Sequence, residues 1–477
     1  MQIEGIEGLL RVYTCQLHKE EGQHSCFSFE ALVPDGKGAA YLQQVHNPIK
    51  VYLTEESGEK GDCVFCGLIT SVKLKQDFSA TKICVCASSY SLLLDEHEKT
   101  RIFQDENKQM KDVLSASRLE LSKDMGRGNV TLEVANPILH RPCKEIVVQN
   151  KETNFSFLKR CSRALHIPLW VRDRREDLTL KMDNKTSNYT LTIPEKQVYQ
   201  WYSQRDFSSS IHEVTLSHYV ELGYVLAFPE IAEGNYLVTA CTVSYEQGRD
   251  VCRAKLQKIE KEEFDKGEPA FSWQVPLRLL ATVTSVDDPK HIGRIQVHFT
   301  GNQTEYADLD EKKPCWLPYR SPYTGIKDGI VFLPDKGDIV EVTLMHGQGY
   351  ASTAWRSQPL DEEARNVKDK YIGNNFQRRI LWKEKSLELL SGQNKVIMDD
   401  EKVEILVGNT HLQLDKEGLH LQVQSGKTAL DITGDTTLQS KGNAALTAKE
   451  INVKGSGDIK IDSSKDIHLQ GKHIKMG

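Results

Sequence analysis

Apolar and polar residues alternate through the C-terminal part of the chain. Val403-Glu404-Ile405-Leu406-Val407, Leu419-His420-Leu421-Gln422-Val423, Ile459-Lys460-Ile461 and Ile467-His468-Leu469 all put an apolar side chain at every second position, which is the period of a strand. The strands recur. Leu430, Leu438, Leu446, Val453, Ile461, Leu469 and Met476 are spaced 8, 8, 7, 8, 8 and 7, and Leu389, Met398, Ile405, Leu414 and Leu421 continue the series upstream at 9, 7, 9 and 7. Turn residues punctuate it at Glu417-Gly418, Ser425-Gly426, Gly434-Asp435, Lys441-Gly442, Gly455-Ser456-Gly457, Ser463-Ser464 and Gly471.

One short strand per fixed repeat reads as a β-solenoid. Each repeat offers about two small inward apolar residues, too few for one chain to close a cylinder around a core. Three chains around one axis can do so, each supplying one face of a triangular prism. The tail therefore predicts a homotrimer, with ~12 strands per chain stacked ~4.8 Å apart into a prism roughly 60 Å long. The alternative is an ordinary antiparallel meander, which normally has longer strands and some aromatics. After Trp382 the chain has no Phe, Trp, Tyr, Pro or Cys.

Upstream, residues 357–386 read as a polar connector containing Asp361-Glu362-Glu363-Ala364-Arg365. Residues 273–356 read as a compact all-β unit. Its predicted strands are Leu279–Val283, Arg294–Phe299, Ile330–Leu333 and Ile339–Val342, with turns at Asp287-Asp288-Pro289 and Pro334-Asp335-Lys336-Gly337-Asp338. A five-stranded OB-type barrel fits this length. The first 272 residues mix strands, such as Lys82–Cys86, Tyr189–Ile193 and Asn235–Ala240, with two helices. One helix is expected from an Asp105 N-cap, with Met110, Val113 and Leu114 on one face. The other starts near Asn154, with Phe155, Leu158, Cys161 and Leu165 on one face.

Charge and composition narrow the function. The 477 residues include 61 Lys and Arg against 67 Asp and Glu, a net charge of -6, so clustered positive charge for nucleic acid is not expected. No run approaches the ~20 apolar residues of a membrane-spanning helix. Met1–Thr14 carries Glu4 and Glu7 and lacks the basic start and apolar run of a signal peptide. Synthesis in the cytoplasm, with eleven cysteines kept reduced, is the expectation.

The order of parts resembles the VgrG family, the trimeric spikes of type VI secretion systems, which is similar in turn to the hub-and-spike proteins of contractile phage tails. The resemblance rests on Cys66-Gly67-Leu68-Ile69-Thr70-Ser71-Val72, Arg101-Ile102-Phe103-Gln104-Asp105, and Glu152 to Arg160 in the hub. In the OB-like unit it rests on Asp287-Asp288-Pro289 through Phe299, Trp316-Leu317-Pro318, and Gly329 to Pro334 with Gly337-Asp338-Ile339-Val340. The chain departs from the family pattern at His166-Ile167-Pro168-Leu169-Trp170.

The resemblance implies a mainly β protein: a hub of two β-barrels with a few helices (1–272), an OB-fold barrel (273–356), a connector (357–386) and a C-terminal trimeric β-helix (387–477). It implies a structural spike, not an enzyme, that docks its hub on a tube protein, pierces a target envelope and delivers effectors. Such a chain is cytoplasmic before firing and is exported by the contractile apparatus, with transient contact with a target membrane. A conical PAAR-type tip protein would cap Ile474, Lys475, Met476 and Gly477. The alternatives are a phage baseplate spike and, from another class, a cell-wall glycan hydrolase.

Chemistry was sought in four places. Phage relatives can carry a lysozyme between barrel and prism, but residues 357–386 are too few for a glycosidase with two positioned carboxylates, and the sequence shows no further domain after the prism. Cys63-Val64-Phe65-Cys66 and Cys84-Val85-Cys86 invite zinc. On regular strands, however, Cys63 and Cys66 face opposite ways unless a bulge intervenes. His468 and His473 sit at the outward parity opposite Ile467, Leu469, Ile474 and Met476, so a metal on the prism axis is not expected. Residues 273–356 hold nine Lys or Arg and ten Asp or Glu, so the OB unit has no basic groove for single strands. No metal or cofactor is expected.

Overall fold

The computed structural model describes the chain except residues 55–57, 78–79, 106, 116–129, 145, 176, 206, 208–209, 247–248, 260–275, 300–314, 326–328, 346–347, 356–365, 375, 424–432, 434 and 476–477. The chain divides into two compact units, Met1–Pro359 and Leu360–Gly477. Among the described residues no helix is long and apolar enough to cross a membrane.

The first unit opens with β1 (Gln2–Glu4), β2 (Arg11–Glu20), β3 (Cys26–Val33), helix α1 (Gly38–Leu42), β4 (Pro48–Thr54), β5 (Lys60–Asp77) and β6 (Ala80–Ser89). A second run of chain adds β7 (Glu98–Phe103), a helical turn at 110–115 (α2), β8 (Val130–Val134), β9 (Val147–Thr153), helix α3 (Asn154–Leu165), β10 (Leu169–Arg172) and β11 (Leu178–Met182). A third contains β12 (Thr190–Thr192), β13 (Val198–Arg205), β14 (Ser210–Leu216), β15 (Val225–Phe228), β16 (Ala232–Glu246) and β17 (Arg249–Lys258).

The first and third runs share one twelve-stranded sheet in the order β1-β4-β5-β6-β3-β2-β16-β17-β14-β13, with β15 and β12 attached beside β16. Antiparallel pairing of β2 with β16, from Gln16↔Ser244 to Glu20↔Ala240, fuses the two halves. The alternating burial of β3 and β6 sends one face of each into the core. Close packing is visible at Gly67, where an added Cβ would lie 2.1 Å from the Ser88 carbonyl oxygen.

Between these halves, β10, β11 and β8 form a small sheet over α3. The Thr153 hydroxyl caps α3 by accepting from the Ser156 N–H (3.2 Å), and His166 ends it in the left-handed region at φ 52°. Phe155, Leu158, Cys161 and Leu165 are buried, as the helical spacing predicts. Met110, Val113 and Leu114 are buried too, but α2 begins later than expected. Asp105 is not its N-cap; its carboxylate accepts from the Asn107 N–H (3.1 Å) in a turn before the helix.

Strand β10 ties two cores together by its period of two. Leu169 and Val171 face the core under α3, while Trp170 between them is fully buried in the core of the large sheet. Just beyond, a buried charge cluster makes the same connection. The Lys19 ammonium on β2 donates to Asp173 (2.7 Å) and Glu221 (3.2 Å), and all three side chains are almost wholly buried. Burial draws the Lys19 pKa down, and the two carboxylates more than reverse it, so it lies above the ordinary value. Burial also raises Asp173, against the pull of Lys19.

Residues 277–355 form a closed barrel of β18 (Leu277–Ser285), β19 (Arg294–Phe299), β20 (Cys315–Pro318), β21 (Ile339–Met345) and β22 (Gln348–Trp355). The order is β20-β19-β18-β21-β22, and a parallel bridge from Tyr319 to Ala351 closes β20 on β22, the connectivity of an OB fold. Ile146 and Val148, beside and on β9, pack into its core. Ile330–Leu333, expected as a strand, is a loop that exposes Val331 and Phe332; pairing there is limited to a bridge of Gly329 with Thr324 and a hydrogen bond from the Ile330 N–H to the Tyr323 carbonyl (3.0 Å).

The turn at Asp287-Asp288-Pro289 is held by one carboxylate. Asp288 accepts from the N–H groups of Lys290 (3.0 Å), Ile292 (3.0 Å) and Arg294 (3.2 Å) and from the Arg294 guanidinium (2.7 Å). The guanidinium first, then these N–H groups, hold its pKa well below the usual carboxylate range.

The second unit is a seven-stranded antiparallel meander of β23 (Lys370–Gly373), β24 (Arg378–Trp382), β25 (Ser386–Ser391), β26 (Asn394–Asp399), β27 (Lys402–Val407), β28 (Thr410–Asp415) and β29 (Gly418–Val423), each paired with the next. Its first two strands lie inside the stretch read as connector. Gly392 (φ 61°) and Gly408 (φ 55°) open two-residue turns, a conformation that glycine adopts without strain. Described residues 435–475 carry no paired strand, unlike the expected strands at Ile459–Ile461 and Ile467–Leu469. Leu430 lies outside the described residues. The paired strands described in this unit form a meander within one chain.

Two substitutions test this fold. Lys19→Met would strand two carboxylates in the core and should destabilise the first unit by about 3–5 kcal/mol, read from its urea unfolding midpoint; a loss below ~1 kcal/mol would show that the cluster is not a tie. Asp288→Asn should lower thermal stability at neutral pH. A depressed folded pKa contributes stability that is complete above the unfolded value of about 3.9 and is lost as pH falls through the folded one. The gap between native protein and variant should therefore be constant above pH ~5 and shrink below pH ~4; a gap that widens in acid contradicts the assignment.

Candidate assembly surface

The meander's register sorts its side chains into two faces. One ladder runs Trp382, Leu387, Met398, Val403, Leu414, Leu419, and a second on the same face runs Ile380, Leu389, Val396, Ile405, Leu412, Leu421. Every member of both is apolar. The series Leu389, Met398, Ile405, Leu414 and Leu421, picked out by spacing, falls entirely on this face. Yet none of the twelve is buried in the single chain, and exposure reaches 66% at Leu419.

The opposite face carries the charged side chains, with Leu381, Leu390, Ile397 and Leu406 half-buried among them. Glu388 accepts from Lys383 (2.8 Å), Glu404 from Lys402 (2.7 Å) with His411 at 3.3 Å, and Asp415 from Gln413 (2.6 Å). The hydrogen bond to Glu404 raises Lys402, and the Gln413 amide and turn N–H groups lower Asp415. A sheet with one continuous, exposed apolar face is built to be covered on that face.

Further along, Leu438 (94%), Ile461 (71%) and Ile474 (49%) are exposed. Lys475 is exposed as well, while Met476 and Gly477 lie outside the described residues. His468 and His473 are exposed, as are Ile467, Leu469 and Ile474 at the opposite parity, so the isolated chain does not sort inward from outward there.

The first unit holds three further groups. His24 lies between the Ser91 hydroxyl (2.7 Å) and the Asp95 carboxylate (2.8 Å). This is a Ser-His-Asp set by composition, but Ser91 is fully buried and also bonds Ser89 (2.6 Å), so it locks a loop and presents no nucleophile. A hollow of about 570 Å³ on the large sheet is lined by Gln16, His18, Tyr202, Glu213, Arg253 and Lys255 among others, with two basic side chains against one acidic. The third group corrects the cysteine geometry. Tyr52 pairs with Cys63 and Val51 with Phe65, which leaves Val64 as a bulge in β5. The bulge brings Cys63 and Cys66 to one side, Sγ to Sγ 3.5 Å. Cys84 and Cys86 do not join them, and among the described residues no group of three or more His, Cys, Asp or Glu could hold a metal.

Residues 279–354 match the sequence family described as the type VI secretion system/phage-baseplate injector OB domain. No curated protein matches the chain. Among solved structures, the chain is similar to the Escherichia coli c3393 protein, described as a type VI secretion component structurally similar to the T4 phage tail proteins gp27 and gp5. That match has a TM-score of 0.54 at 15% identity and covers 74% of this chain and 99% of that one. It is also similar to a Francisella PdpA–VgrG complex, with a TM-score of 0.50 at 6% identity, covering 86% of this chain and 83% of that one. The chain thus resembles the VgrG spikes of type VI secretion and the hub-and-spike proteins of phage tails, through a matched OB domain and a fold shared over most of its length.

Proposed function

We propose that this chain is the structural spike of a contractile injection system of the type VI kind, and that it works as a homotrimer. The observation that carries the reading is the twelve-residue apolar face of the meander, left open by its own chain. In the proposed trimer each chain lays this face toward a common axis, with the polar faces outward. The 435–475 repeats, unpaired in one chain, would find their strand partners in the other two. Domains at 1–272, 273–356 and 387–477, with the intervening connector, would act as hub, adaptor barrel and prism. The hub would sit on the tube protein, and the prism would pierce the target envelope and carry an effector.

The reading is mechanical, not catalytic, and the matched family and structural neighbours are hub and spike proteins. The family description spans type VI systems and phage baseplates alike, so a phage spike is the second reading. Release into the medium that depends on an intact type VI sheath supports the first; recovery only within phage-like particles supports the second.

Ile405→Asp places like charges on a dry axis, at a cost of several kcal/mol for each unpaired buried charge. Lys395→Asp, on the polar face beside Leu390 and Leu406, should change stability by less than about 0.5 kcal/mol. The first should lower the assembled mass and abolish sheath-dependent release, and the second should preserve both. Equal effects would refute the assignment of faces.

The tip proposal uses Ile474, Lys475, Met476 and Gly477 as the surface for a PAAR-type protein, with apolar contact and strand addition. Full-length protein should capture such a protein in a pull-down, and a chain truncated after Gly471 should not. Equal capture would move the partner site elsewhere.

A further inference from the structure

We propose that Cys63 and Cys66 are a dithiol–disulfide couple, oxidised by a small-molecule disulfide through Cys63 and closed by Cys66. Four observations converge on β5. The bulge at Val64 turns two residues that would diverge on a regular strand onto the same side. Their Sγ atoms lie 3.5 Å apart, so closure needs only a small approach. Cys63 is half-buried, while Cys66 is 2% exposed and shielded beneath it. Both backbones are anchored: the Cys66 N–H donates to the Asp173 carbonyl (2.6 Å), and the Arg174 guanidinium donates to the Cys63 carbonyl (3.0 Å).

The two thiols are also unequal. The hydrogen bond from Cys66, and then the one to the Phe65 backbone, lower the Cys63 thiol against the opposing effects of burial and of the Asp173 charge. The same hydrogen bond, and burial, raise Cys66. An accessible thiol that ionises early and a buried neighbour that ionises late are the two parts of an attacking and resolving pair.

The chemistry balances. The Cys63 thiolate attacks one sulfur of the donor disulfide; the donor S–S bond breaks, and the departing thiolate takes the proton of Cys66. The Cys66 thiolate then attacks Cys63 Sγ, the mixed disulfide breaks, and the second donor thiolate leaves and is protonated by solvent. Two protein thiols lose two electrons, and one donor disulfide becomes two thiols. The couple abuts Asp173 and Arg174, on the loop that also binds Lys19 and Glu221.

The test uses the full-length protein with oxidised glutathione. Free thiols should fall by two from eleven, and peptide mapping should find one link, Cys63 to Cys66. Cys66→Ser should accumulate a glutathione adduct on Cys63, and Cys63→Ser should leave Cys66 reduced. Reversal by dithiothreitol should restore both thiols. The proposal is overturned if native protein keeps both thiols where a control dithiol peptide is oxidised. It is equally overturned if the link forms between other cysteines, or if the Cys63 adduct persists with Cys66 intact. Mapping of the native chain decides the matter even if a variant folds poorly.

Discussion

A sheet apolar on one whole face, with no layer among the described residues to cover it, is the constraint on which the second unit depends. The two ladders from Trp382 to Leu419 and from Ile380 to Leu421 each place six apolar side chains in register. Completing the burial of a half-exposed Leu or Ile gains roughly 1 kcal/mol, and the gain accumulates only if one partner covers the whole face. Threefold symmetry is one solution, since three identical faces can meet around an axis and cover one another. The absence of aromatics after Trp382 suits a narrow interior.

The first unit meets its constraint internally. Its large sheet, small sheet and OB barrel share hydrophobic boundaries: Trp170 passes from β10 into the core of the large sheet, and Ile146 and Val148 enter the barrel. The Lys19–Asp173–Glu221 cluster adds a polar tie across the same junction. Such clusters add little net energy over an apolar core but are costly to break from one side.

Periodicity made much of this legible. Period two located strands of the second unit and the residues of its apolar face, though the expected winding was a three-chain prism and not a meander, and period 3.6 located α3 and its inward residues. The OB strands at Arg294–Phe299 and Ile339–Val342 also follow from local pattern. Local pattern failed where long-range pairing or local backbone decided. Ile330–Leu333 has strand composition, but pairing stops at Gly329 and Ile330, leaving Val331 and Phe332 exposed. Asp105 has cap chemistry, yet the helix begins five residues later at Met110. Strict alternation separated Cys63 from Cys66; a single bulged residue reunited them, and the Cys-x-x-Cys spacing was the only hint. Lys19, Asp173 and Glu221 lie too far apart in sequence for any spacing to announce them. The 435–475 repeats alternate in sequence but carry no paired strand among the described residues.

The measurement that bears most directly on this account is the mass of the purified full-length protein in solution, by light scattering across a range of concentrations. Three apolar faces that need one another predict a particle of about three times 54.0 kDa that persists on dilution. A folded particle of 54.0 kDa with its tail intact would contradict it.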